Sequence, residues 1–198
     1  MTVVIIIVAV IVVLALGAAY LFNRLVRLRA RTQEAWSNID VELKRRHDLI
    51  PNLVATAQGY AAHERAVFEE VTQARAAAIS AAQGGDPTAM AGAEDALTGS
   101  VNRLFAVAEQ YPELKASEVF LTLQEQLTTT EDKVEFSRRF YNGNVRDFNT
   151  LLQRFPTNLF ASMMGFRAFA FFSADAGDRA VPTVQFAGGP PQAPPPAG

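Results

Sequence analysis

An uncharged run near the beginning of the chain, residues 3–22, limits the possible folds more than any other feature. It is almost wholly Val, Ile, Leu and Ala, and a helix of that length crosses the roughly 30 Å hydrocarbon core of a bilayer. A cleaved secretory signal would need a basic start, an apolar run of about 7 to 15 residues and a small-residue exit. Here the chain starts Met-Thr, and the small residues 17–19 are followed by Tyr20, Leu21 and Phe22. The run therefore predicts a retained transmembrane anchor over residues 1–22.

Positive charge follows the anchor at once. The arginines are Arg24, Arg27, Arg29 and Arg31, and the first acidic residue is Glu34. By the positive-inside rule we expect a single-pass membrane protein with its N-terminus outside and its body in the cytoplasm. Arg24, Arg27 and Arg31 share one helix face, where they are candidates for contact with lipid headgroups. The simpler alternative is that they only set the topology.

The body of the chain has helical periodicity, because apolar residues recur at threes and fours from residue 25 to residue 154. Pro51 predicts a turn over residues 48–50 and the start of a second helix. The other breaks are predicted at Gly84-Gly85, with Asp86 and Pro87 starting the third helix, and at Tyr111-Pro112, with Ser117 capping the fourth. The fold class is therefore all-α: an N-terminal transmembrane helix followed by an antiparallel up-and-down four-helix bundle over residues 23–155.

The composition changes after the predicted fourth helix, which Pro156 ends. Six of the fourteen Phe residues lie between residues 155 and 172, and we treat residues 156–186 as a Phe-rich C-terminal segment. Because the fourth helix returns toward the membrane, this segment either packs under the end of the bundle or dips into the lipid interface. The candidate membrane contacts are Phe160, Phe166, Phe169, Phe171 and Phe172. Residues 187–198 are rich in Pro and Gly and are predicted to be a disordered tail.

The search for chemistry is largely negative. A net charge of -2 gives no basis for general nucleic-acid binding, and a chain without cysteine has no thiolate site. The two histidines, His47 and His63, fit neither the zinc-protease pattern nor the paired Glu-x-x-His motifs of di-iron bundles. There is no P-loop and no G-x-G-x-x-G motif. The sequence predicts no catalytic residue, no metal ligand and no cofactor.

Two groups of polar residues are candidates for a network or a partner groove. The first surrounds the end of the predicted first helix and includes Trp36, Asp40 and Arg46, which we interpret as part of a solvated face. The second is a stripe on the fourth helix: Arg139, Asn142, Arg146 and Asn149. This stripe predicts either a hydrogen-bond network with a neighbouring helix, through Asp40 or Glu34, or a groove for a partner that carries carboxylates.

Five stretches of the chain have a distinctive sequence: NRLVRLR at 23–29, EAWSNIDVELKRRHDLIPNLV at 34–54, GYAAHERAVFEEVTQARA at 59–76, RLFAVAEQYPELKASEVFLTLQEQL at 103–127 and RRFYNGNVRDFNTLLQRFPTNLFASMMGF at 138–166. Together they resemble the LemA family of bacterial membrane proteins. The resemblance runs from the anchor to about residue 186, and it departs from the family at the Phe-rich residues 169–172, where more polar residues are expected. It implies a bacterial source, and hence a bacterial cytoplasmic membrane, and a membrane anchor followed by an antiparallel helical bundle. It carries over no catalytic residue.

Two classes of function follow. The first is a non-enzymatic scaffold or adaptor that presents a helical bundle at the inner face of the membrane and binds lipid and other proteins, but no nucleic acid. The alternative is a hydrolase or metal-dependent enzyme that uses the carboxylates of the bundle. An enzyme of that kind needs convergent Asp, Glu and His ligands, which the fold would have to bring together.

Overall fold

The computed structural model describes residues 1–161 and 163–173, without the side chain of Phe160. The rest of the Phe-rich segment and the predicted tail at 187–198 lie outside the described residues. Within the described residues the protein is all-helical and has no strand. The helices are α1 (Thr2–Gln58), α2 (Arg65–Gly84), α3 (Pro87–Ala108), α4 (Pro112–Lys115), α5 (Glu118–Gln153) and α6 (Thr157–Ala161).

The first helix joins two chemically different halves in one uninterrupted rod of 57 residues. In its first half apolar side chains such as Ile7 and Leu14 are more than half exposed, whereas the buried stripe begins at Leu25. Within the described residues α1 is the one helix long and apolar enough to cross a membrane. A large exposed apolar surface is stable in lipid and not in water, so this half indicates membrane association.

The predicted turn before Pro51 is wrong, because α1 continues through it to Gln58. Proline at this position removes one hydrogen bond, the one its amide would donate to the carbonyl of His47. Arg75 on α2 supplies the missing donor, since its Nε lies 2.7 Å from that carbonyl oxygen. With the carbonyl satisfied the helix has less reason to break, and the second helix starts only at Arg65.

The other predicted helix boundaries are confirmed. Gly85 adopts a left-handed conformation, with φ of 70°, at the end of α2. Asp86 then caps α3, because its Oδ1 accepts a hydrogen bond of 3.0 Å from the Thr88 amide. Ser117 caps α5 in the same way, accepting from the Phe120 amide at 3.5 Å. The break at Tyr111-Pro112 contains the short helix α4.

The most extensive helix–helix packing is between α1 and α5. Leu25 of α1 lies with Leu151 of α5, whereas Ile50 of α1 belongs to a core that contains Leu123 of α5. The start of the buried stripe of α1 thus packs against the end of α5, and the end of α1 packs against the start of α5. The two helices are therefore antiparallel. Helices α2 and α3 form a second pair, which covers the α1–α5 pair at the end far from the anchor.

The second pair is too short to cover the whole of the first. Helices α2 and α3 have 20 and 22 residues, whereas α5 has 36. Near the anchor the apolar stripe of α1 and α5 is instead covered by Ala161 and by Phe166 and Phe169 of the extended chain that follows. We call residues 163–173 the covering segment.

Candidate functional site

The covering segment lies in a groove between α1 and α5 that aromatic side chains line. The ring of Trp36 on α1 lies 5.2 Å from that of Tyr141 on α5, measured between ring centres. The ring of Phe172 packs against that of Trp36, with centres 5.9 Å apart, and Phe172 is only 1% exposed. Phe169 packs edge-on against Phe148 at 5.2 Å. The groove therefore holds two phenylalanine side chains of an extended peptide.

Two asparagines of α5 hold the backbone of this peptide. The carboxamide of Asn149 donates to the carbonyl of Phe169 at 2.9 Å and accepts from its amide at 3.0 Å. Asn142 makes the same pair of bonds to Phe172, at 3.0 and 2.9 Å. Each side chain thus satisfies both backbone groups of one residue, as a neighbouring strand would.

The spacing of the two asparagines fits an extended chain. Seven residues along a helix span about 10.5 Å, at about 1.5 Å per residue. Three residues of extended chain, the separation of Phe169 and Phe172, span about 10 Å. Asn142 and Asn149 therefore stand about as far apart along α5 as Phe169 and Phe172 stand along an extended chain. Because residues three apart in a flat strand face opposite sides, the chain must twist between Phe169 and Phe172 for both to bond to α5.

Tyr141 adds a third bond to the same backbone. Its hydroxyl donates to the carbonyl of Ala170 at 2.9 Å. Burial raises the pKa of Tyr141 to about 12, because the phenolate would be poorly solvated there. The hydroxyl therefore keeps its proton, and its role as donor, at neutral pH. Arg138 closes the groove from outside, with its guanidinium 5.0 Å from the centre of the Phe172 ring.

Two residues of the predicted polar stripe, Asn142 and Asn149, line this groove. Trp36 on α1 forms its opposite wall. Arg139 instead forms an exposed ion pair with Glu135 of its own helix at 2.6 Å. Arg146 is exposed and forms no hydrogen bond or ion pair within the described residues. The predicted network to Asp40 or Glu34 is not observed among them.

Asp40 lies on another side of α1, in a shallow cleft beside α2 that Lys44 and Ile79 also line. Partial desolvation there raises the pKa of the Asp40 carboxyl. Its side chain is exposed and has no part in the groove that holds the covering segment. Of the two candidate groups, Asp40 therefore remains separate from the asparagine pair.

The positions of the Phe residues favour packing over lipid contact for part of the covering segment. Phe172 and Phe166 are 1% and 9% exposed, and Phe169 is half-buried. Their burial argues against the membrane contact predicted for these three side chains, because the α1–α5 stripe near the anchor needs an apolar cover. Phe171 points outward and is 41% exposed. The side chain of Phe160 lies outside the described part of the chain.

The interpretation of Arg46 as solvated is wrong, since it is 3% exposed. Its Nη1 lies 3.0 Å from Oε2 of Glu94 on α3, and the other carboxylate oxygen of Glu94 lies 2.7 Å from Nε2 of His47. The second nitrogen, Nη2, donates to Thr98 at 2.5 Å and pairs with Glu131 at 3.2 Å. We call Arg46, His47 and Glu94 the buried ionic network.

The sequence contained a signal for this network. Ile39, Leu43 and Ile50 form the buried stripe of α1, and residues 46 and 47 occupy the positions where that stripe should continue. Glu94 likewise interrupts the buried stripe of α3 between Ala91 and Leu97. Polar residues at core positions on two helices indicate a buried pair, since an unpaired buried charge is costly.

The buried ionic network is satisfied internally, so it presents no free ligand. Within residues 1–161 and 163–173 no group of three or more His, Cys, Asp and Glu side chains could hold a metal ion. The enzyme alternative therefore gains no supporting observation from the geometry.

Comparison with known proteins bears on identity. A sequence model of the LemA family matches residues 35–186. The magnetosome protein MamQ 2 of Paramagnetospirillum magneticum is 27% identical in an alignment 188 positions long. This alignment covers 83% of this chain and 69% of that protein. MamQ of Magnetospirillum gryphiswaldense is 25% identical over the same coverage. Protein LemA of Metamycoplasma hominis is 28% identical over 158 residues, covering 79% of this chain and 71% of its own.

None of these names states a reaction, and the family match includes the aromatic groove, the asparagine pair and the buried ionic network. The match spans well over half of the chain, which confirms the resemblance drawn from the sequence. The protein belongs to the LemA family.

Proposed function

We propose that this LemA family protein is a non-enzymatic scaffold or adaptor, anchored by a single span in the cytoplasmic membrane. Its N-terminus lies outside, and its four long helices form an antiparallel up-and-down bundle at the inner face. The observation that carries the proposal is the continuity of α1, since one helix contains both the apolar span and the core stripe. A flexible linker would let the body move freely, whereas a continuous helix fixes its height and orientation.

The geometry of α1 supports a role in positioning. The helix continues for 36 residues beyond the span, which corresponds to about 54 Å at about 1.5 Å per residue. The anchor is exposed along its length, whereas the stripe from Leu25 to Ala57 is buried against other helices. A rod of this kind holds binding surfaces at a fixed distance from the bilayer, which is useful to a scaffold.

Exposed aromatic surface supports contact with other proteins. Phe136 and Phe140 on α5 stack with ring centres 6.4 Å apart and are 64% and 51% exposed. Val41 on α1 lies in the same shallow cleft as Phe136 and is 65% exposed. Contiguous apolar surface of this kind is more common at protein contacts than on free surfaces. These residues are therefore good positions for probing partners.

The orientation is tested with a reporter fused after Gly198 in the full chain. A cytoplasmic reporter should be active and a periplasmic one inactive, because the arginines after the span retain the body inside. Protease added to intact spheroplasts should leave the body uncut, and the same protease should cut it in inverted vesicles. Cleavage of the body in spheroplasts would overturn the orientation.

The scaffold role is tested by photo-crosslinking in native membranes. A photoreactive residue replaces Phe136 or Phe140 in the full chain, and Glu125, an exposed residue of the same helix, is the matched control. Both aromatic positions should give the same discrete crosslinked species, and the control position should not. Species that form equally at all three positions, or at none, would contradict a specific scaffold.

A further inference from the structure

A basic pocket lies where the body meets the anchor. Its cavity is about 420 Å³, and α1 and the end of α5 form its walls. The charged and hydroxyl side chains that line it include Tyr20, Arg24, Arg27, Arg31, Asp147 and Arg154. We propose that this pocket binds the phosphate of an anionic phospholipid headgroup. The inference rests on the proposed insertion of α1 into the membrane.

The charge of the pocket favours an anion. Four guanidinium groups and one carboxylate line it, so the lining has a net charge of +3. Within the part of the chain that the structure describes, none of the four arginines forms an ion pair. The side chain of Arg27 donates to the carbonyl of Asn23 at 3.3 Å, a bond that uses only its Nε. The guanidinium forks therefore keep donors for a ligand, and they suit phosphate oxygens.

The fourth arginine comes from a distant part of the sequence. Arg154 directly follows the last residue of α5 and caps that helix. The antiparallel packing of α1 and α5, which brings Leu151 beside Leu25, carries Arg154 back to the end of the anchor. A positive-inside signal needs only charges that follow the span in sequence. An additional guanidinium delivered by the fold indicates a binding pocket.

The height of the pocket selects a lipid as the source of the phosphate. Counted from Phe22 at about 1.5 Å per residue, Arg24 lies about 3 Å and Arg27 about 8 Å beyond the span. The headgroup layer on each side of the hydrocarbon is about 5 to 8 Å thick. Tyr20 lies at the inner boundary of this layer, where tyrosine is enriched in membrane proteins. The lower part of the pocket is therefore level with lipid phosphates.

Binding is tested with the full chain in non-ionic detergent. The chain is titrated with dioctanoyl phosphatidylglycerol, dioctanoyl phosphatidylcholine and inorganic phosphate, and the dissociation constants are measured by microscale thermophoresis. Phosphatidylglycerol should bind most tightly, since the positive pocket disfavours a choline group. Equal affinity for the two lipids would overturn the proposal. Inorganic phosphate binding as tightly as phosphatidylglycerol would assign the pocket to a free anion.

Arg154→Gln and Arg29→Gln form a matched pair of variants. Both remove one exposed charge near the membrane, but Arg29 does not line the pocket. Loss of Arg154 should weaken phosphatidylglycerol binding about five-fold, the factor for a contribution of roughly 1 kcal/mol per arginine, whereas loss of Arg29 should change it less than two-fold. Equal effects would show diffuse attraction to the surface and overturn the pocket.

Insertion is measured separately, so that failure of the anchor and failure of the pocket can be told apart. The full chain and both variants, reconstituted in phosphatidylcholine vesicles, should resist extraction by alkaline carbonate. Extraction of the wild-type chain would contradict the proposed anchor itself. A wild-type chain that stays inserted but does not distinguish the two lipids would contradict only the pocket.

Discussion

The α1–α5 pair has two sections, one far from the anchor and one near it, and the apolar stripe of each section is covered in a different way. Far from the anchor, α2 and α3 cover the apolar stripe, and the buried ionic network joins α1 to α3. Near the anchor, the covering segment lies over the same two helices, and neutral side chains of α5 hold its backbone. A helix pair can thus be completed either by more helices or by one segment without regular secondary structure.

The comparison shows how the two closures should differ in stability. The ionic network is almost fully buried, so the loss of one partner leaves the other charge poorly compensated. The covering segment has neutral hydrogen bonds and aromatic contacts, so we expect that it can detach without unfolding the helices. We therefore expect damage far from the anchor to lower global stability and damage near it to act locally.

The largest effect is expected for Glu94→Ala. Arg46 would then be a buried charge without its main partner, and the free energy of unfolding should fall by about 3 to 5 kcal/mol. Chemical unfolding of the full chain in detergent, followed by circular dichroism, measures this change. Glu131→Ala is the control, because the Glu131 side chain is 41% exposed and should cost at most about 1 kcal/mol. Equal costs would mean that water reaches Arg46.

The second effect concerns the asparagine pair. Asn142→Ala and Asn149→Ala each leave two backbone groups of the covering segment without partners, at a cost of about 1 to 3 kcal/mol. Hydrogen exchange at the amides of Phe169 and Phe172 should accelerate, while exchange in the helices stays unchanged. Asn144→Ala is the matched control, since among the described residues its carboxamide bonds only to Phe140 of its own helix. Faster exchange throughout α5 would show that the segment does not detach independently.

The same comparison explains which parts of the structure could be predicted. Helical period, caps and breakers predicted the C-terminal end of α2 and both ends of α3, because those signals are local. The path of α1 past Pro51 depends on Arg75, a residue of another helix, and no local rule includes it. The covering segment has no helical or strand-like period, so its pairing with Asn142 and Asn149 could not be predicted, although the stripe that contains both asparagines was identified.

The third prediction uses pH to separate the two sections. The pKa of Tyr141 rises from about 10 in the unfolded chain to about 12 in the fold, so its contribution is fully present below pH 10 and is lost as the pH rises through 12. At pH 8, Tyr141→Phe should cost about 1 kcal/mol through the lost bond to Ala170. Between pH 10 and 12 the wild-type chain should lose this advantage over the variant. Thermal unfolding across the pH series measures the difference.

Tyr60→Phe controls for the loss of a hydroxyl group, since Tyr60 is 46% exposed and lies far from the covering segment. Its effect is measured beside that of Tyr141→Phe at each pH. A Tyr141→Phe difference that stays constant from pH 8 to pH 12 would mean that the Tyr141 phenol is solvated, and the groove near the anchor would then be more open than its packing indicates.

The smallest effect is expected for Arg146, which takes part neither in the buried ionic network nor in binding the covering segment. Arg146 is exposed, so Arg146→Ala should change the free energy of unfolding by less than about 0.5 kcal/mol. Arg138→Ala is the matched comparison, because Arg138 stacks over Phe172 and pairs with Asp95 at 3.0 Å, and its loss should cost about 1 kcal/mol. Thermal unfolding of the two variants beside the wild-type chain measures both. If Arg146→Ala costs as much as Arg138→Ala, then Arg146 has a structural partner, and the stripe predicted from its spacing is one continuous network instead of two asparagines with separate roles.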